Sequence, residues 1–387
     1  MTGERCDVAI VGAGLVGLSL AYELACLGAS VTVVDAAHRG RATDAGAGIL
    51  SPATSHDTDG PLWPFLQQAG AHYPQLLRRL EADGADVGAT GYRACGLLSL
   101  GLREHEDSWF APFAETTLRR SNGAVAEISP AEACELFPPL GPVHRALYCP
   151  SSARVDGRGM ATALRDAAVA RGVAFVTGFV HGAAAGMDDG AAVVGRRVTS
   201  VEVEGHHNVE CAALAVAGGA WTAAMGEWLG HELPVSPTKG QIVHLGVEAD
   251  TGAWPIAQPL LTHYLVPWPG GRVACGGTFE PGAGYSHDAT AAGLQELLRE
   301  CLIVAPGLAD ATYGETRVGL RPTSADDRAL VGALPGWSNV WVATGHGANG
   351  LLQGPYSARA LAYLMARTEM PGEEVPLPQS FDPARFG

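Results

Sequence analysis

The chain has 387 residues, 47% of them hydrophobic, and its 25 basic and 40 acidic residues leave a formal net charge of −15. A chain of this size buries sizeable cores and is expected to form two domains. The acidic balance excludes a protein that tracks nucleic-acid phosphates through basic patches and offers nothing to an anionic membrane surface. No apolar run reaches the roughly 18 residues a bilayer span needs, and the start of the chain carries no basic-then-apolar export signal. The 8 cysteines, Cys6, Cys26, Cys95, Cys134, Cys149, Cys211, Cys275 and Cys301, lack C-x-x-C spacing. That pattern argues against zinc or iron–sulfur sites and for reduced thiols, so the expectation is a cytoplasmic protein with no metal.

In chain order, the first informative segment is 7–35, Asp-Val-Ala-Ile-Val-Gly-Ala-Gly-Leu-Val-Gly-Leu, a helical stretch, then Ser-Val-Thr-Val-Val-Asp. Residues 8–11 predict a buried parallel strand, 18–27 an apolar helix ended by Gly28, and 31–34 a second strand. This is a full βαβ dinucleotide fingerprint. Gly12 permits the tight turn, Gly14 lets backbone approach a pyrophosphate, and Gly17 lets the helix pack closely on the sheet. The helix start offers unpaired N–H groups and the positive end of its dipole to phosphates. Asp35, closing the second strand, can take both hydroxyls of an adenosine ribose, which favours FAD or NAD over NADP.

Residues 41–52 read as a small-residue loop with a short helix, and Val155-Asp156 opens a helix to about Arg171, followed by a strand at 173–176. Residues 212–219 predict a buried strand running into glycines. A β-rich region follows at 237–245, 264–267 and 272–278. Residues 340–344 predict a strand, Gly345-His-Gly-Ala-Asn-Gly350 a glycine-rich turn, and 351–365 a helix. Strand–glycine–helix segments near both ends imply that the C-terminal segment returns to the N-terminal domain. The expected division is a discontinuous cofactor domain of 1–55, 145–230 and 322–370, a substrate domain of 56–144 and 231–321, and a tail, 371–387, lying loosely on the surface.

Five stretches in this order resemble the flavoprotein family of glycine oxidase, D-amino-acid oxidase and monomeric sarcosine oxidase, nearest to the glycine oxidase branch. They are the N-terminal fingerprint; Arg41-Ala-Thr-Asp-Ala-Gly-Ala-Gly-Ile-Leu50; Ala217-Gly-Gly-Ala-Trp221 followed by Pro237-Thr-Lys-Gly-Gln241; Gly319-Leu-Arg-Pro322; and Gly345-His-Gly-Ala-Asn-Gly-Leu351. The resemblance implies an α/β fold, a Rossmann-like FAD-binding domain with an inserted antiparallel-sheet substrate domain of α+β type. It implies noncovalent FAD in extended form. Gly12, Ala13, Gly14, Val16 and Gly17 would hold the pyrophosphate and Asp35 the ribose. Thr43, Asp44, Gly46, Ala47, Gly48 and Ile49 would run beside pyrophosphate and ring, with Val180 on the adenine side and Gly218 and Trp221 under the adenosine half. Gly345, His346, Gly347, Asn349, Gly350 and Leu351 would bring backbone N–H groups to the pyrimidine edge, where they stabilise negative charge on the reduced ring.

The implied reaction is oxidation of a D-amino acid or glycine-like amine. A hydride passes from Cα to flavin N5, the imine is hydrolysed to a 2-oxo acid and ammonia, and O2 reoxidises the flavin to give hydrogen peroxide. Catalysis is then mainly orientation of the substrate carboxylate. Arg321 matches the arginine that clamps it with two parallel hydrogen bonds, and Tyr264 matches the tyrosine that donates its phenol. The other readings are a salt bridge from Arg321 to Asp326 or Asp327 and a core role for Tyr264. His263 should face away from Tyr264 and be structural.

Three positions depart from the family pattern. Ala348 stands where glycine oxidases carry an arginine facing the substrate, which opens room for a bulkier D-amino acid or an N-alkyl glycine. Gly319 stands where sarcosine oxidases have the cysteine that attaches flavin. Phe279, in Gly277-Thr-Phe-Glu280, takes the place of the sarcosine oxidase lysine over the ring. The alternatives are a flavin dehydrogenase or oxidase of a 2-hydroxy acid or N-alkyl amino acid using another electron acceptor, and an idle flavoprotein. Lys239 is expected to support the domain junction, His206 and His207 to form a hairpin turn, and His346 to be held among glycines near the ring. Neither nucleic acid nor membrane is an expected partner, and the oligomeric state is left open.

Overall fold

The computed structural model describes residues 5–55, 60, 62–188, 195–372 and 374–386. Its first sheet has eight strands. Cys6–Val11 lies at the centre, parallel to Val31–Asp35 on one side and to Val209–Val216 on the other. Ala174–Thr177 extends the first edge in parallel. On the far edge Val340–Thr344 runs parallel to Val209–Val216, and Leu330–Ala333 closes that side antiparallel. The central strand is almost continuously apolar because both faces are covered, as expected of a parallel sheet.

Helix Leu15–Cys26 follows the first strand directly, and Gly350–Ala366 follows the last. They pack on one another and share a core with Leu62–Ala82 and Gly157–Ala170. Gly12 has φ +112, and a Cβ there would lie 2.4 Å from the Ala217 carbonyl oxygen. A Cβ on Gly17 would lie 2.0 Å from the Gly12 carbonyl oxygen. The turn and the helix packing therefore both need glycine.

The second sheet has nine strands. Its backbone is the long pair Val235–Gly246 and Thr312–Ser324, antiparallel with Thr238 opposite Arg321 and Gly240 opposite Gly319. On the other edge of Val235–Gly246 come Arg272–Gly276 and then Tyr264–Trp268. The sheet is antiparallel, as expected, except at one pair. Leu97–Gly101 pairs parallel with Ile256–Pro259, because the two strands come from distant segments and need no hairpin between them. A three-stranded patch of Ile49–Leu50, Ala153–Arg154 and Arg93–Ala94 lies between the two large sheets in chain connectivity.

The tail also differs from expectation. Phe381 is 1% exposed and packs edge-on against Phe65, with ring centroids 5.3 Å apart. Burying such a ring is worth about 1.5–3 kcal/mol. Glu374 pairs with Arg359 at 2.9 Å, and Arg385 with Asp326 at 2.7 Å. An apolar ring and two placed charges outweigh the Pro- and Glu-rich composition that pointed to a loose segment. His206 and His207 lie in the exposed turn between Gly195–Val203 and Val209–Val216, as expected. Among the described residues no helix is long and apolar enough to cross a membrane, and no group of three or more His, Cys, Asp or Glu side chains is arranged to hold a metal.

Candidate active site

A cavity of about 470 Å³ runs between the C-terminal ends of the parallel strands and the second large sheet. One end is built by the glycine fingerprint. The amide of Gly12 donates to the Val34 carbonyl oxygen at 2.8 Å, which fixes the turn against the second strand. Thr43 Oγ1 accepts from the Leu15 amide at 3.0 Å and so holds the 41–46 segment against the helix start. The amides of Gly14 and Val16 have no protein acceptor among the described residues. They leave open donors at a helix N-terminus, where an anionic group can be accommodated. A Cβ on Gly14 would touch only Thr43 Oγ1, at 3.5 Å, so this glycine keeps the cradle bare instead of relieving a clash within the chain.

Asp35 also lines the cavity, and its carboxylate already serves the protein. Its Oδ2 accepts from the Ala13 amide at 2.6 Å and its Oδ1 from the Ala37 amide at 2.7 Å. Arg41 stands 3.6 Å from Asp35 and 3.0 Å from Asp44. Ala13 and Asp44 consequently support the loops without facing the cavity. Asp44 spends its carboxylate on Arg41, and its carbonyl oxygen accepts from Arg158 Nε at 2.8 Å. Elsewhere in the lining Trp221 stacks on His38, with centroids 4.7 Å apart and planes at 14°, and Tyr285 stacks on Trp221 at 5.8 Å and 24°. The stack with His38 has no sequence signal, since His38 and Trp221 lie far apart in the chain.

The other end of the cavity holds the charge. Arg321 Nη1 donates to the Thr278 carbonyl oxygen at 2.8 Å and reaches the Lys239 carbonyl oxygen at 3.5 Å. Among the described residues no carboxylate pairs with it. Asp326, one acid proposed from sequence as a partner, is taken by Arg385. The guanidinium lies over Gly240, where a Cβ would come within 2.3 Å of Nη1. A Cβ on Gly277 would lie 3.0 Å from both Arg321 Nη2 and the Tyr264 hydroxyl, so cation and phenol converge on one bare stretch of backbone. Burial pushes the Tyr264 phenol up to about 12, with the Arg321 charge acting the other way. Tyr264 is therefore a protonated donor at neutral pH. Gly240 and Gly277 had been read only as motif and strand residues; their role becomes visible once the pairing of Val235–Gly246 with Thr312–Ser324 is known.

Gly46, Ala47, Gly48, Ile49, Val180, Gly218, Gly347, Ala348, Gly350 and Leu351 all line the cavity with the residues above. Gly17, Gly345 and Asn349 do not. Gly17 is spent on helix packing, Gly345 has φ +74 behind the turn, and Asn349 is exposed. His346 lines the wall, accepts or donates to Ser357 Oγ at 3.1 Å, and is pushed down to about 4 by burial, so it is neutral. His263 points away to Glu296 at 3.0 Å, and Lys239 lies on the other face of its strand, paired with Glu280 at 3.4 Å. Phe279 is not part of the lining. It is 68% exposed, because the strand ends at Gly276 and the chain turns outward after it.

A parallel sheet with the glycine fingerprint at its switch point and a second sheet closing the cavity defines a dinucleotide-dependent oxidoreductase of the flavoprotein class. Residues 7–364 match the family model described as FAD dependent oxidoreductase (DAO). The chain belongs to that family, and its cofactor is FAD. It is 35% identical over 384 residues to the uncharacterized oxidoreductase YurR of Bacillus subtilis (strain 168), covering 97% of this chain and 98% of that one. It is 31% identical over 370 residues to a glycine oxidase of Pseudomonas aeruginosa, covering 94% and 95%. Among solved structures, the iminodiacetate oxidase from Chelativorans sp. BNC1 superposes with a TM-score of 0.87 at 34% identity, over 97% of this chain and 99% of that one.

Proposed function

We propose that the protein oxidises a small amine bearing a carboxylate on the amine-bearing carbon: a D-amino acid, a glycine-like amine or an N-alkyl glycine. One observation carries this reading. Arg321 faces the cavity held by main-chain carbonyls and by the protonated Tyr264 phenol, with no carboxylate partner among the described residues. A guanidinium on such a wall meets a carboxylate in a bidentate pair, and Tyr264 adds a third donor. Together they fix the orientation of the amine-bearing carbon, and orientation is what the step demands. When bound, FAD supplies the hydride acceptor. The small wall at Ala348 leaves space for a substituent on Cα or nitrogen.

In this reading Gly12, Gly14, Val16 and the start of the first helix hold the pyrophosphate, Asp35 the ribose, and Thr43 to Ile49 the length of the cofactor. FAD is held noncovalently: no cysteine lines the cavity among the described residues, and a Cβ on Gly319 would meet Ala45 Cβ at 2.8 Å. Oxygen is the proposed acceptor, in line with the oxidases among the relatives. The test is anaerobic mixing of the yellow protein with D-amino acids, glycine, sarcosine and 2-hydroxy acids, followed by air. Bleaching by amines, then recovery with hydrogen peroxide, supports the reading. Bleaching by hydroxy acids alone, or by nothing, overturns it.

A further inference from the structure

We infer that Gln241 is the positioning residue of the Arg321 clamp: from the far face of the sheet it fixes the Thr278 carbonyl on which the guanidinium rests. The inference rests on the carboxylate-clamp reading above. Arg321 stands on Thr312–Ser324, opposite Thr238 of Val235–Gly246. Its side chain crosses that strand over Gly240 and donates to the Thr278 carbonyl oxygen beyond the other edge, at 2.8 Å. The aim of the fork is therefore set by a residue outside its own strand and outside the neighbouring one. A bidentate pair tolerates little error in that aim.

Thr278 lies between Arg272–Gly276 and the two-residue strand Glu280–Pro281, and Gln241 holds it there. The Thr278 amide donates to the Gln241 carbonyl oxygen at 3.1 Å, and the Gln241 amide donates to Thr278 Oγ1 at 2.9 Å. Thr278 Oγ1 in turn donates to Glu280 Oε1 at 2.5 Å, the same atom that accepts from Gln241 Nε2 at 2.7 Å. The carboxamide is engaged at both ends. Nε2 also donates to Thr290 Oγ1 at 3.0 Å, and Oε1 accepts from the Thr290 amide at 2.9 Å. Thr290 caps helix Ala291–Val304, and a Cβ on Gly293 in its first turn would lie 2.2 Å from Gln241 Nε2, so the helix leaves room for the carboxamide. Gln241 is 0% exposed, and neither it nor Thr278 nor Glu280 lines the cavity, whereas Gly240 and Ile242 do. Gln241 thus reaches the substrate only through Arg321. Glutamate has the same shape but would set a carboxylate against Glu280 where Nε2 now gives its protons.

The test uses the FAD-bound protein and acetate as the probe, with binding read from the flavin absorbance. Gln241→Glu is expected to raise the acetate dissociation constant about 10-fold, the scale of coupling within one hydrogen-bond network. The same change is then made beside Arg321→Lys. An ammonium holds a carboxylate as a point charge and needs no aimed fork, so the loss there should stay below about 3-fold. No loss in the first case, or an equal loss in both, overturns the inference. If Gln241→Glu retains no FAD, Thr278→Val is read in the same two backgrounds, since it breaks the link at Oγ1 and keeps the side-chain volume. Loss of FAD from both variants makes the network structural and overturns the inference as well. Arg321→Met binding acetate as tightly as the wild type marks a different failure, that of the clamp reading itself, and the inference falls with it.

Discussion

Two arginine environments in this molecule make opposite use of the same side chain. Behind the parallel sheet, Arg359 is enclosed by helices and saturated with acid, with Glu23 at 2.9 Å and Glu374 at 2.9 Å. Arg79 reaches the same Glu23 carboxylate at 2.7 Å. On the cavity wall, Arg321 has main-chain carbonyls and the Tyr264 phenol, and no carboxylate among the described residues. A cation paired inside the chain ties elements together and has nothing left to offer. A cation supported by carbonyls is held in position while its strongest partner is left to come from outside. The difference separates stability from recognition, and it can be broken at either end.

The largest effect is expected from Glu23→Gln. It removes the buried carboxylate shared by buried Arg359 and half-buried Arg79, and unfolding free energy should fall by about 3–5 kcal/mol. FAD content of the folded fraction should hold. Chemical denaturation checks this, and a loss below about 1 kcal/mol would show that the network does not support the fold.

Arg321→Met is the mirror experiment. It keeps much of the apolar stem and removes the fork, so kcat/KM for the amine should drop by about 2–5 kcal/mol, or roughly 30- to several-thousand-fold. Flavin occupancy and Tm should stay near wild type. A lowered Tm with normal turnover would move Arg321 into the structural class. Lys at this position should rescue in part only, since an ammonium cannot reproduce two parallel bonds.

A pH dependence sharpens the comparison further. His72, 4% exposed, is pushed down from 6.5 to about 3, by burial first and then by Arg359 and Arg79. As pH falls below about 6.5 the unfolded chain takes up a proton that the folded chain refuses. The contribution of neutral His72 is therefore complete above that pH and is lost progressively towards pH 3, at about 1.4 kcal/mol per unit. His72→Leu should flatten the stability curve between pH 6.5 and 4, measured by urea unfolding. Identical slopes in the two proteins would contradict the assignment.

The smallest effect is a change of preference. Ala348→Arg narrows the open side of the wall and adds a cation, and should shift the ratio of kcat/KM between glycine and bulkier amines towards glycine by about 1–3 kcal/mol. An unchanged ratio would mean that position 348 is remote from the substrate.

The parts of this architecture legible in the sequence are those whose cause is local. Gly12, Gly14, Gly17 and Asp35 sit in one strand–turn–helix–strand run, so their spacing is already their geometry. Arg321 and Tyr264 stood out by motif, but their convergence depends on strand register across Val235–Gly246, and register leaves no mark in a single sequence. The bare backbone of Gly240 and Gly277 was hidden for the same reason. Phe279 was misjudged because strand continuity was carried past Gly276. The tail was misjudged because composition cannot reveal that Phe381 finds Phe65. Asp44 and Asn349 fell in the right loops with their side chains turned elsewhere, a choice made by Arg41 in one case and by solvent in the other.

The pairing of Val209–Val216 with both Cys6–Val11 and Val340–Thr344 has a consequence in time. The strand Cys6–Val11, central in its sheet, is synthesised before its partners, and the cavity wall Ala348 to Leu351 follows the strand Val340–Thr344. At ~5–20 residues per second, roughly 20 to 70 s separate the synthesis of these partners. During that interval the fingerprint loop exists without the turn that closes over it. FAD capture is therefore expected to be a late event, and a nascent chain stalled before Val340 is expected to bind no FAD, which cofactor retention on stalled chains would check.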